Sequence, residues 1–120
     1  MADVTNVLIV DDEPTIADTL VIILNKAGFN ASAVYSGAEA VNAAKSVHPD
    51  LIISDVSMPD MNGIEAMIRI RGFLPTCKIF LFSGQANTVD LLEDAHTRGH
   101  DFDILAKPVH PQDLITRLTA

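Results

Sequence analysis

Cysteine is almost missing from the sequence, since Cys77 is the only one in 120 residues. A single cysteine cannot form a disulfide within the chain, and this usage is typical of a reducing compartment. Long apolar runs are missing too, and none approaches the ~20 residues that span a membrane. The amino terminus shows no basic region followed by an apolar one, the pattern of a signal peptide. We therefore expect a cytoplasmic protein with no membrane association.

Basic residues are scarce. The chain has 8 Lys and Arg against 16 Asp and Glu, which gives a net charge of −8. Phosphate backbones and anionic lipids repel such a chain, so we expect no direct nucleic-acid binding by this domain. Hydrophobic residues make up 48% of the chain, enough to bury a core. The length predicts one domain over residues 1–120.

Short apolar runs alternate with segments of helical spacing. The helical segments start with one that opens at Pro14 and carries Ile16, Leu20, Ile23, Leu24 and Ala27. The predicted strands are Val7–Val10, Ala31–Tyr35, Leu51–Asp55, Lys78–Phe82 and Ile104–Ala106. Several of these runs are apolar on both faces, which is typical of a parallel sheet covered by helices on both sides. Right-handed crossovers then favour an α/β fold, a doubly wound parallel sheet of five strands flanked by five helices.

Polar side chains stand where the predicted strands end. They are Asp11, Asp12, Asp55, Ser83 and Lys107. Each alone has an ordinary explanation as a helix cap, a turn residue or a solvated charge. Because the carboxyl ends of parallel strands share one edge of the sheet, where ligands bind, we expect all five to lie close together.

Three carboxylates at one place call for a cation. At about 4 Å each pair repels by about 1–4 kcal/mol in partly solvated surroundings. Oxygen ligands with room for waters suit Mg²⁺. Asp55 could then act as a nucleophile toward a phosphoryl group. Mg²⁺ and Lys107 would neutralise the phosphoryl oxygens, and Ser83 would donate a hydrogen bond.

Four motifs, in order along the chain, carry a resemblance. They are VLIVDDEP, LIISDVSMPDMNG, IFLFSGQA and ILAKPV. With them the chain resembles the receiver domains of two-component response regulators, chemotaxis regulators among them. The resemblance implies a flavodoxin-like sheet with the strand order 2-1-3-4-5. It also implies a phosphoacceptor switch rather than an enzyme. Its expected partners are a sensor histidine kinase or phosphotransfer protein, and an output partner or carboxyl-terminal effector domain.

The same resemblance assigns roles to individual residues. Asp55 would accept the phosphoryl group. Mg²⁺ would be held by Asp12, Asp55 and the backbone carbonyl of Ser57, with Asp11 acting mostly through waters. The switch hydroxyl would be Ser83, and Lys107 would pair with the phosphate.

One position departs from the family pattern. The family usually has an aromatic residue three positions before the lysine, and here that position is Ile104. The nearest aromatic is Phe102, and the segment between Gly99 and Lys107 is one residue longer than usual. We predict that Ile104 stays largely buried in both states of the switch, and that Phe102 is a fixed anchor.

Two other functions are alternatives to the phosphoacceptor switch. A small phosphatase of the haloacid dehalogenase type also uses an aspartate after its first strand. Asp11–Thr15 nearly matches its motif, but Glu13 stands where a second aspartate is needed, and only Asp113 follows Lys107. The other alternative is a receiver-like interaction module that is never phosphorylated, which the complete acidic set argues against.

His96 and His100 have the spacing of helical metal ligands, but Gly99 between them is expected to break the helix. Cys77 opens a predicted strand, and we expect it to be unreactive.

Overall fold

Strands and helices alternate throughout the part of the chain that the computed structural model describes, which is residues 5–56, 58, 61–83, 88–106 and 110–119. The elements are β1 (Asn6–Val10), α1 (Pro14–Lys26), β2 (Asn30–Val34), α2 (Gly37–Val47), β3 (Leu51–Asp55), α3 (Gly63–Arg71), β4 (Lys78–Ser83), α4 (Thr88–Thr97), β5 (Asp103–Ala106) and α5 (Pro111–Thr119). All strand pairs are parallel, in the order β2-β1-β3-β4-β5. The predicted fold class and strand order are confirmed.

Helices cover both faces of the sheet. Successive strand residues point to opposite faces, so each strand serves two cores. In β1, Val7 and Ile9 join a cluster with side chains of α1 and α5, whereas Leu8 and Val10 join a cluster with α2, α3 and α4. None of the helices in the described part of the chain is long and apolar enough to cross a membrane.

The central strand β3 is buried at all five positions. It lies between β1 and β4, with Ile53 opposite Ile9 on one side and Phe80 on the other. Burial on both faces explains its near-continuous apolar sequence. The strand therefore delivers Asp55 to the edge of the sheet from a rigid position.

Local signals set several helix ends, including the predicted start at Pro14 and the predicted break at Gly99. Helix α1 starts at Pro14, where the missing N–H costs nothing. The Ser36 hydroxyl caps α2 by accepting a hydrogen bond from the Glu39 N–H at 3.1 Å. Beyond α1 and α4, Gly28 and Gly99 have positive φ angles of 98° and 88°, which glycine adopts at little cost.

The inner face of α1 differs from the predicted one. Ala17, Leu20 and Leu24 are buried, whereas Ile16 is 38% exposed. Ala17 is small enough to let the helix lie close to the sheet, so the buried stripe is centred one residue further along than hydrophobicity alone indicates. The strand boundaries differ by one residue at β1, β2, β4 and β5.

Candidate functional site

The carboxyl ends of β1, β3 and β4 bring three of the predicted site positions to one edge. The register places Val10 opposite Ser54, so Asp11, which follows β1, stands level with Asp55, the last residue of β3. On the other side, Asp55 lies opposite Phe82, the residue before Ser83. The structure thus brings Asp11, Asp55 and Ser83 to the shared edge that the sequence predicts.

Three aspartates form a compact acidic cluster at this edge. Asp11, Asp12 and Asp55 each offer a carboxylate oxygen, and these oxygens all lie within 4.8 Å of one another. Asp11 is fully buried and Asp55 is 6% exposed, whereas Asp12 faces solvent. The backbone fixes Asp11, whose Oδ1 accepts the Glu13 N–H at 2.9 Å and whose own N–H donates to the Val34 carbonyl at 3.2 Å.

The cluster fits a hard divalent cation. Two of its carboxylates are removed from solvent, so their mutual repulsion is weakly screened. The ligands are all oxygen, and the exposed Asp12 leaves room for coordinated waters, the combination that suits Mg²⁺. Among the described residues, no other group of three or more His, Cys, Asp or Glu side chains has this geometry.

Contacts around the end of β3 hold the Asp55 main chain. The Ser54 hydroxyl donates to the Asp55 carbonyl at 3.0 Å, and the Val56 N–H donates to the Phe82 carbonyl at 3.2 Å. From α3, the Gly63 N–H donates to the Val56 carbonyl at 2.7 Å. The sequence pattern does not identify Ser54 and Gly63 as parts of this site. Nothing in the local pattern around Gly63 signals its approach to β3.

The predicted switch position Ile104 is half-buried on β5, opposite Leu81, and packs toward the α2–α3–α4 side. Phe102 is also half-buried there. The Arg71 guanidinium carbon lies 4.8 Å from the centre of its ring, and an Arg71 N–H donates to the Asp101 carbonyl at 2.8 Å. Phe102 is thus held in place in this structure. Its behaviour on phosphorylation, like that of Ile104, stays a prediction.

Two predicted site residues, Ser57 and Lys107, lie outside the described residues, as does the segment 84–87 that follows Ser83. Ala106, the residue before Lys107, pairs with Ser83.

Among the described residues, His96, His100 and Cys77 belong to no group of three or more side chains that could hold a metal ion. His96 Nδ1 is 2.5 Å from Asp101 Oδ1, and this hydrogen bond, followed by the carboxylate charge, raises the pKa of the histidine. Cys77 is 5% exposed, and burial raises the pKa of its thiol to about 11. A thiol with this pKa is almost wholly protonated near neutral pH and a poor nucleophile, in agreement with the predicted lack of reactivity.

A five-stranded doubly wound sheet with an acidic cluster at its carboxyl edge defines a class of ligand-binding α/β proteins. The family comparison narrows the class, because the family described as the response regulator receiver domain matches residues 7–119. The chain belongs to this family, as the sequence motifs indicated.

Individual relatives support membership of the same family. The chain is 31% identical over 116 residues to the DNA-binding response regulator MtrA of Mycolicibacterium smegmatis, covering 95% of this chain and 49% of the relative. Its identity to the transcriptional regulatory protein KdpE of Mycobacterium tuberculosis is 35%, covering 97% and 50%. The chain thus spans about half the length of these curated relatives. Among solved structures, the chemotaxis protein CheY4 of Vibrio cholerae matches with a TM-score of 0.86 and 28% identity, covering 98% of both chains.

Proposed function

We propose that this receiver domain is a Mg²⁺-dependent phosphoacceptor switch, and that Asp55 receives the phosphoryl group from a sensor histidine kinase or phosphotransfer protein. The observation that carries the proposal is the acidic cluster. It sets the nearly buried Asp55 carboxylate beside two further carboxylates, at the edge of the sheet where ligands bind. Family membership supports the same function.

In the proposed reaction, a carboxylate oxygen of Asp55 attacks the phosphorus of a phosphohistidine. The P–N bond breaks, and the imidazole nitrogen keeps the electron pair. Asp12, Asp55 and the backbone carbonyl of Ser57 would hold Mg²⁺, with Asp11 acting mostly through waters. The bound ion would neutralise negative charge on the carboxylates and phosphoryl oxygens. The rigid end of β3 contributes orientation, because Asp55 enters the reaction from a fixed main chain.

The proposed roles of Ser83 and Lys107 follow from their strand ends. Ser83 closes β4 next to the residue opposite Asp55, where its hydroxyl could donate to a phosphoryl oxygen. Lys107 follows β5 and would supply the phosphate-pairing ammonium. Ile104, half-buried on the same strand, would stay largely buried while the loop after Ser83 changes.

The regulatory output of the switch would come from another protein or another domain. We propose that the domain acts as a cytoplasmic phosphoacceptor rather than an enzyme, and that a partner or a carboxyl-terminal effector domain reads its state. The curated relatives are named as DNA-binding or transcriptional regulators, and the chain covers about half of each. With a net charge of −8, this domain itself is poorly suited to contact DNA.

Labelling with a small phosphodonor tests the proposal. Incubation with acetyl phosphate and Mg²⁺ should add one phosphoryl group, seen by intact-mass spectrometry, and a chelator should prevent it. Asp55→Asn should abolish labelling, because the amide is not a nucleophile. Asp94→Asn is the matched control, since it removes an exposed carboxylate on α4 and should be labelled like the wild type.

Labelling that persists in Asp55→Asn, or that ignores the chelator, would refute the assignment. A folded wild-type protein that takes no label would instead favour the interaction module that is never phosphorylated.

A further inference from the structure

We infer that Gly63 is a positioning residue for Asp55. Because it has no Cβ, the first turn of α3 can lie directly against the main chain of Asp55, and this contact fixes where the carboxylate stands relative to Asp11 and Asp12. The inference rests on the proposed function and adds to it a residue outside the reacting groups.

The geometry leaves no room for any other residue. A Cβ built on Gly63 would lie 1.9 Å from the Asp55 carbonyl oxygen, 2.9 Å from its carbonyl carbon and 3.0 Å from the Ser54 Oγ. The two nearest atoms are backbone, so no change of side-chain rotamer relieves the clash. Real Cβ contacts essentially never fall below 3.0 Å, so the gap from 1.9 Å must open by more than 1 Å.

Hydrogen bonds also join the start of α3 to the end of β3 beside this contact. The Gly63 N–H donates to the Val56 carbonyl at 2.7 Å, and the Val56 N–H donates to the Phe82 carbonyl at 3.2 Å. Val56, the residue directly after Asp55, is therefore held between α3 and β4. A side chain on residue 63 would push against a segment that is hydrogen-bonded to β4 on its far side.

Neither α3 nor β3 can move away from the contact without disturbing the core. Helix α3 is anchored in the core through Ile64, Met67 and Ile70, all at most 4% exposed. Strand β3 is buried at every position between two neighbours. Close-packed interiors transmit such strain rather than absorb it. The relief available is a shift at the end of β3, which carries Asp55 away from the other carboxylates.

The experiment compares two variants at the start of the same helix. Gly63→Ala adds the clashing methyl group. Asn62→Ala is its matched control, because it removes the cap that the Asn62 side chain forms with the Glu65 N–H at 2.8 Å and leaves the Asp55 contact untouched. For both folded proteins, Mg²⁺ affinity is measured by NMR titration. The rate of labelling with acetyl phosphate is measured at saturating Mg²⁺ by intact-mass spectrometry.

We expect Gly63→Ala to label about 100-fold more slowly at saturating Mg²⁺, the effect of a ~1 Å misplacement of a reacting group. It should also bind Mg²⁺ more weakly. Asn62→Ala should keep the wild-type labelling rate and Mg²⁺ affinity, although it is less stable. A merely structural role would not slow labelling of folded molecules, so equal rates in the two variants would overturn the inference.

Two further outcomes need their own tests: a Gly63→Ala protein that does not fold, and a wild type that takes no phosphate. If Gly63→Ala fails to fold, the comparison is repeated in a His48→Gly background, which is expected to stabilise α2 away from the site. Failure to fold there as well would show that the contact serves folding and would overturn the inference. If the wild type takes no phosphate, the proposed function fails, and the Mg²⁺ affinities of the two variants still decide the positioning role.

Discussion

Two adjacent aspartates show how strongly a single position in the fold sets the properties of a side chain. Asp11 is fully buried, whereas Asp12 is exposed, although both follow β1 directly. The buried carboxylate cannot be hydrated as it is in the unfolded chain, so its charge must be balanced locally. The exposed neighbour can exchange waters. The family resemblance implies direct contact with Mg²⁺ for the exposed Asp12 and contact mostly through waters for the buried Asp11.

One residue-scale prediction concerns His96. Its hydrogen bond with Asp101 and the carboxylate charge raise its pKa above the ordinary 6.5. An NMR titration of the imidazole should find this raised pKa, and Asp101→Asn should lower it. Since the folded-state pKa is the higher one, the stabilising contribution is complete below the unfolded pKa and is lost as the pH rises through the folded one. An unchanged histidine pKa in Asp101→Asn would contradict the contact.

At the scale of the element, the sequence predicted more about where helices start than about which face they bury. Pro14 is a local signal that acts within one turn, so the start of α1 could be predicted from it directly. The inner face of α1 depends on how closely the helix approaches the sheet, and there Ala17 is buried in preference to Ile16. Such distances are set by packing between elements distant in sequence.

The end of α2 supports an element-scale prediction. His48 has a φ of 51°, in the left-handed region, and its N–H donates to the Ala44 carbonyl at 3.1 Å. A residue with a Cβ pays about 1 kcal/mol there. His48→Gly should therefore raise the free energy of unfolding by about that amount, measured by urea denaturation followed by circular dichroism.

The other end of the same helix gives the control. Ser36→Ala removes the amino-terminal cap and should lower the free energy of unfolding by about 1 kcal/mol. A His48→Gly protein that is less stable than the wild type would show that the histidine side chain makes a contribution larger than the backbone strain.

At the scale of the whole molecule, the sequence predicted the sheet and the acidic cluster for one physical reason. Parallel strands place their carboxyl ends on a common edge, so residues far apart in sequence could be assigned to one site without knowing any contact distance. Asp11 and Asp55 were predicted in this way. The role of Gly63 could not be, because it depends on how closely α3 approaches the end of β3, and no periodicity encodes that approach. A Cβ on Gly63 would lie 1.9 Å from the Asp55 carbonyl oxygen.

The cluster also links metal binding to the stability of the whole domain. In the absence of Mg²⁺ the three carboxylates repel one another, so Asp12→Asn should be more stable than the wild type. Glu93→Gln removes an exposed charge on α4 and is the matched control, with a smaller expected effect.

Adding Mg²⁺ should reverse this ranking. Binding to the folded state alone stabilises it by about 1.4 kcal/mol at ten times the dissociation constant. The wild type and Glu93→Gln should both gain this amount, whereas Asp12→Asn, with one ligand fewer, should gain much less. Thermal unfolding followed by circular dichroism, with and without Mg²⁺, measures all three proteins. An equal gain in Asp12→Asn and the wild type would mean that Mg²⁺ binds elsewhere, because a site that includes Asp12 cannot lose this ligand without losing affinity.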